Sequence, residues 1–318
     1  MKPPSLILPL VFFLILEPMF AAEPAKQLLD SGRVDEAIQT LEQKLKLNPT
    51  DAESHNLLCR AYFMLDEWDR AISACEHAVN LAPQQSSYHL WLGRAYGEKA
   101  DRAGVFSAAG LAKKVRMSFE RAVELDPKSS EARTDLGEFY TEAPSIVGGG
   151  KDKARAQADA LMTFDPTRGH WLLARIEEKN KDIAAAEREY RAAIAASHSG
   201  ARGWLDLANF FFYGHRTEEM EHAIHTLESS PVDHPEALMH GAGILLRAGR
   251  DYPTAIRLLR RYLTAPVEDG PAFKAHDQLG QLLEKQGDRH GAAEEFRAAL
   301  ALAHNYARAQ EDLKQVEH

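Results

Sequence analysis

The chain repeats itself, and that constrains its fold more than anything else in it. Three stretches end alike: LKLNP at 45–49, AVNLAP at 78–83 and AVELDP at 122–127. Pro49 and Pro83 are 34 residues apart, Pro83 and Pro127 are 44 apart, and Pro127 and Pro166 are 39 apart. A 34-residue period with two insertions, within 97–114 and 142–151, describes the series. Residues 52–83 show one period in full. Leu58, Tyr62 and Leu65 recur at helical spacing, Asp66-Glu67 make a turn, and Ala71, Cys75 and Ala78 form one face of a second helix. Pro83 stops that helix. Each period is thus a helix–turn–helix hairpin that must stack on its neighbours to bury its apolar face.

WLGRAY (91–96) with Phe119, Ala122 and Pro127 resembles the tetratricopeptide repeat (TPR) family, whose pattern is W-x2-L-G-x2-Y…A-x3-F…P. LGEFY (136–140) with Ala154 and Pro166, WLDLANFF (204–211) and LGQLLEKQGDRHGAAEEFRAAL (279–300) fit it too. The resemblance covers 23–318 and implies an all-α solenoid of about eight units. NYARAQEDLKQVEH forms a last helix with Tyr306, Ala309 and Leu313 on one face, expected as a polar cap. An AP…GG turn downstream of LAKK is similar to some exported bacterial TPR proteins. Within 97–114, Ser107 is expected to cap a lengthened second helix, and Val105, Phe106, Ile146 and Val147 to give the two insertions apolar contacts.

Residues 1–22 read as an export signal. Lys2 precedes an apolar run from Leu6 to Leu16, and Glu17-Pro18 and Ala21-Ala22 follow. That run spans about 16 Å as a helix against a ~30 Å hydrocarbon core, so membrane attachment is expected only if the signal stays uncleaved. The expected location is the periplasm or outside the cell. Lys+Arg total 38 and Asp+Glu 47, a net charge of −9, which argues against non-specific nucleic-acid binding. The two cysteines exclude a disulfide-built scaffold and a four-cysteine zinc site. Cys59 and Cys75 fall on the two helices of one hairpin. Helix pairs stand ~8–10 Å apart, wider than the ~7 Å that bridging allows, so free buried thiols are expected.

The TPR resemblance implies that first helices line a concave groove. Its expected lining is Asn56, Arg60 and Phe63, then Arg94, Glu138 and Arg175, then Arg202, Asn209, Phe212 and Tyr213, with His240 and Lys274 beyond. Arg60 and Arg94, 34 apart, occupy the same place in consecutive units and together suit a carboxylate or phosphate. In NFFFYG (209–214), Phe211 takes the core slot, leaving Phe212 and Tyr213 either as exposed anchors or covered by an adjacent unit. Gly148-Gly149-Gly150-Lys151 lacks the first glycine and the Ser/Thr of a phosphate loop. His222 and His225 share a helix face, without the remaining ligands of a metal site. No catalytic residue, metal or cofactor is expected. The reading is a scaffold that binds a protein or peptide segment in the groove. The rivals are an envelope assembly factor for polysaccharide or secretion machinery and, more remotely, a metal-dependent hydrolase.

Overall fold

The computed structural model describes residues 24–232, 234–265 and 270–318, and excludes the side chains of 105 and 106. The export signal expected over 1–22 lies outside the described residues. Among the described residues, seventeen α-helices pair into eight hairpins and a final helix. The hairpins are α1 (Ala25–Asp30) with α2 (Val34–Leu47), α3 (Ala52–Met64) with α4 (Trp68–Leu81), and α5 (Ser86–Asp101) with α6 (Val105–Leu125). Next come α7 (Ser130–Glu142) with α8 (Lys151–Leu161), α9 (Pro166–Lys179) with α10 (Ile183–Ala196), and α11 (Ala201–Tyr213) with α12 (Thr217–Ser229). The last two are α13 (Glu236–Ala248) with α14 (Tyr252–Thr264) and α15 (Ala272–Lys285) with α16 (Arg289–Leu302), followed by α17 (Ala307–Glu317). No described helix is long and apolar enough to cross a membrane.

Small residues set how closely the two helices of a hairpin approach. A methyl group at Gly93 or Gly280 would collide with the ring of Phe119 or Phe296 from the partner helix. Cys59 and Cys75 fill that position in the α3–α4 hairpin and are joined in a disulfide, their Cα atoms 5.1 Å apart. The expectation of free thiols is therefore corrected. The mean spacing of helix axes does not apply at the closest approach, where other units carry glycine.

Adjacent hairpins are tied by a recurring triplet. Tyr62 donates to Glu42 at 3.3 Å, Tyr96 donates to Glu76, and Tyr140 donates to Glu120 at 2.8 Å, each reaching back 20 residues. A cation from the second helix of the same unit lies over each ring: Arg70 on Tyr62, Lys114 on Tyr96 and Lys153 on Tyr140. Burial and the neighbouring carboxylate raise the pKa of all three phenols, Arg70 opposing at Tyr62, so they stay protonated donors.

The first insertion is not a loop. It adds helical turns, making α5 16 residues and α6 21 residues long against 13 and 14 for α3 and α4. Its Ala, Lys and Glu content favours helix, leaving Gly104 as the break. Because α6 begins at Val105, Ser107 lies inside its first turn and does not cap it. The second insertion is a loop with one 3-10 turn, Ser145–Val147. It meets α6 through Arg116, which sits against Gly148, whose φ is +104°. Ile146 points into solvent instead of making the expected contact, at 92% exposure.

The array also closes on itself. Lys274 Nζ lies 2.9 Å from Asp66 Oδ1, and Asp35 Oδ2 accepts from the His304 backbone N–H at 2.8 Å and contacts its Nδ1 at 2.7 Å. Phe273 is fully buried, packs edge-on to Tyr306 with centroids 4.9 Å apart, and shares a core with Leu28 and Leu29 of α1. The turn before α17 thus docks on the first hairpin, while α17 caps the last one as expected, with Ala309 and Val316 buried and its other faces polar.

Candidate functional site

Successive first helices touch one another, α3 with α5, α7 with α9, α11 with α13 and α13 with α15. Second helices bridge their own unit to the next first helix, as α4 does to α5. First helices therefore form the inner wall, and their unburied side chains line a common groove.

The structure gathers part of the expected lining. A hollow of about 790 Å³ opens between α5 and α7, with Phe63, Trp91, Arg94, Asp135, Glu138 and Phe139 in its walls. Trp91 is its centre. Phe63 meets the indole edge-on at 5.5 Å, and the guanidinium groups of Arg60 and Arg94 lie 5.3 and 4.9 Å from its centroid. The two arginines are thus brought together as their spacing suggested. Arg94, however, is already engaged, donating to Asp135 at 2.6 Å and Glu131 at 2.8 Å. Arg60 is buried, and Asn56 is buried beneath the lining rather than part of it.

Further round the wall, Arg175 pairs with Glu178 at 2.7 Å, Glu142 at 3.1 Å and Glu138 at 3.6 Å. Enclosure by the groove walls pushes the Glu138 carboxyl up, Arg175 opposing and Asp135, Glu142 and Asp206 adding to the rise. Arg202 lies 3.7 Å from Asp206. Asn209 is half-buried. Phe212 packs partly against the core with Arg247 over its ring at 5.5 Å, while Tyr213 stands 71% exposed. Of the aromatic run, Phe210 and Phe211 are core and Tyr213 alone is fully presented. His240 on α13 keeps an exposed face, and desolvation by its neighbours together with the cations Arg202, Arg247 and Lys274 pushes its imidazole down to about 4. Lys274 is drawn across the seam to Asp66.

Sequence reasoning missed Trp91, Asp135 and Phe139 in the hollow, and Arg168, Asp206 and Arg247 on the next stretch. Arg168 and Arg202 are 34 apart, so the period that singled out Arg60 and Arg94 would have found them. The histidine face is otherwise occupied: His225 Nε2 lies 2.7 Å from Asp251 Oδ2. Among the described residues, no group of three or more His, Cys, Asp or Glu side chains is placed to hold a metal ion.

Residues 28–94 and 273–306 each match a family model described as tetratricopeptide repeat, and neither is an enzyme family. The BBSome complex member BBS4 of Bos taurus is 26% identical over 190 residues, 59% of this chain and 34% of that protein, so the chain spans about a third of its curated relative. Yeast Tom70 is similar in structure over 93% of this chain and 64% of its own, with a TM-score of 0.53 at 15% identity. TTC0263, a TPR protein in Thermus thermophilus, is 22% identical with a TM-score of 0.46, covering 54% of this chain and 87% of its own. Residues 28–94 and 273–306 carry tetratricopeptide repeats, and the eight hairpins of the described residues build an all-α solenoid.

Proposed function

We propose that this protein is a non-catalytic scaffold that binds an extended segment of a partner protein along the groove of its first helices. The observation that carries the reading is the Trp91 hollow, large enough for side chains and walled by Phe63 and Phe139, with Tyr213 exposed further along the inner helices. Aromatic side chains in a preformed concavity are the groups that most often anchor a protein partner. A wall already rigid through helix packing limits the ordering cost of binding. That BBS4 is a member of a multiprotein complex supports a scaffolding role.

Export belongs to the same proposal. The Leu6–Leu16 run supports it, and so does the Cys59–Cys75 bridge, because disulfides persist in oxidising compartments.

The test is affinity capture from a solubilised envelope extract, using the protein and a Phe63→Ser, Phe139→Ser, Tyr213→Ser variant as parallel baits. One protein retained by the parent and lost from the variant is the expected result. The same protein retained equally by both baits would move the binding surface out of the groove.

A further inference from the structure

The Trp91 hollow is built largely from one face of α5 and one face of α7. Asp135, Glu138, Phe139 and Glu142 stand at i, i+3, i+4 and i+7 on α7, and all four line it. Trp91, Arg94, Glu98 and Asp101 line it from α5. Of the six ionisable side chains in its walls, five are carboxylates. Cations do reach the rim, but they are taken. Arg94 is held by Asp135 and Glu131, and Arg102 by Glu98 at 2.6 Å. Arg175 goes to Glu178 at 2.7 Å and Glu142 at 3.1 Å, and Lys179 to Glu142 at 2.7 Å. Further along the wall, Arg168 acts on Asp135, and Asp206 adds a negative charge facing Glu138.

Two carboxylates are left over. Glu138 has only the distant Arg175, at 3.6 Å, and its side chain is 43% exposed. Asp101 is exposed and has no ion pair or hydrogen bond among the described residues. The rings divide in the same way. Trp91 carries Arg60 and Arg94 and Trp68 carries Arg102, whereas Phe139 has no cation over it among the described residues. Like charges one turn apart on a helix destabilise it, so α7 holds Asp135, Glu138 and Glu142 together at a cost that an added cation would offset.

We propose that the Trp91 hollow seats a lysine or arginine side chain of the extended partner segment, its head at Glu138 and Asp101 and its stem along Phe139. The inference rests on the groove reading given above and names the chemistry of the residue that enters the hollow. Long basic side chains lay an apolar stem on a ring and carry their charge at the tip. Carboxylates meet that tip through charge-assisted hydrogen bonds. An acidic side chain would find only Arg94 in the walls, already holding two carboxylates.

The probe is a fluorescein-labelled Ser/Gly peptide with Arg at every third position, beside the same peptide with citrulline, the neutral isostere, in place of Arg. The Arg peptide is expected to bind, and the citrulline peptide to bind at least about tenfold more weakly. Asp101→Asn with Glu138→Gln is expected to weaken the Arg peptide by a similar factor. Glu124→Gln with Glu294→Gln removes two charges from the outer helices α6 and α16, and is expected to leave its affinity unchanged. Gly97→Leu fills the hollow without altering charge, since a Cβ at Gly97 meets nothing within 4 Å, and it too is expected to weaken binding. Circular dichroism confirms that the variants fold. In nuclear magnetic resonance titrations, the Glu138 carboxyl is expected to ionise at lower pH when the Arg peptide is bound. Equal affinity for the parent and the Asp101/Glu138 variant, or equal weakening by the outer pair, would overturn the proposal, as would spermine bound as tightly as the Arg peptide. A partner that is captured through the groove residues while the Arg peptide fails to bind would overturn it too, and leave the groove reading intact.

Discussion

Cys59 and Cys75 stand where Gly280 and Phe296 stand in the last hairpin, at the same separation of 16 residues, so one pair is covalent where the other is a ring packed on a bare backbone. A disulfide closing a loop of this length stabilises by about 3 kcal/mol through the unfolded state. Reduction, or Cys59→Ser with Cys75→Ser, is therefore expected to lower stability by roughly that amount in urea unfolding. Cys59→Gly with Cys75→Phe is expected to recover more than half of the loss, because it installs the packing of the last hairpin. A double serine variant as stable as the parent would show that the bridge adds nothing.

Asp277 on α15 gives the protein an unusual pH dependence. It is buried, accepts from Gln281 at 3.1 Å and lies 3.4 Å from Arg308 Nε, and burial pushes its carboxyl up to about 7. In the unfolded chain it titrates at about 4. The folded state therefore keeps a proton that the unfolded state has lost, and this contribution to stability falls as pH rises from about 4 to about 7. Asp277→Asn is expected to be more stable than the parent at about pH 8, by up to about 4 kcal/mol, and equal to it at about pH 4. Unfolding in urea across that range checks it.

His240 acts in the opposite direction. Its imidazole is held down at about 4, whereas in the unfolded chain it protonates at about 6.5. Its contribution is present above about 6.5 and is lost as pH falls towards about 4. In the same unfolding series, His240→Asn is expected to lose less stability on acidification than the parent.

Closure of the array makes a non-local prediction. Phe273 belongs to α15 but shares one buried core with Leu28 and Leu29 of α1, so Phe273→Ala, which costs about 3–5 kcal/mol at a fully buried position, is expected to loosen both ends. Hydrogen exchange is expected to accelerate in α1 and α2 as well as in α15–α17, with α7–α10 unchanged. Acceleration confined to the last hairpin would mean that the ends do not depend on each other.

The fold was legible because the repeat is written in the backbone's own requirements. Proline follows the second helix in the first three hairpins, and a small residue marks the close approach. A period of 34 survives two insertions. The disulfide was missed because helix-axis spacing was applied at a point where the helices come nearest. Repeat phase locates extra residues without saying how they fold, so the lengthening of both α5 and α6 shows only in their helix-forming composition. The site was only half legible. Phase aligned Arg60 with Arg94, but ion pairs such as Arg94–Asp135 depend on how adjacent hairpins are offset, which the period alone does not give. Contacts across the seam, 208 residues apart for Asp66 and Lys274, leave no trace in a pattern made of local repeats.

The most direct measurement of the central claim is photo-crosslinking in envelope extract, with p-benzoylphenylalanine placed in turn at Phe139, Tyr213 and Ile183. Phe139 and Tyr213 lie on inner helices, and Ile183 is exposed on the second helix α10. The account predicts that one partner crosslinks from Phe139 and Tyr213 and not from Ile183. Crosslinks to that partner from Ile183 alone would contradict it and place the binding surface on the outside of the solenoid.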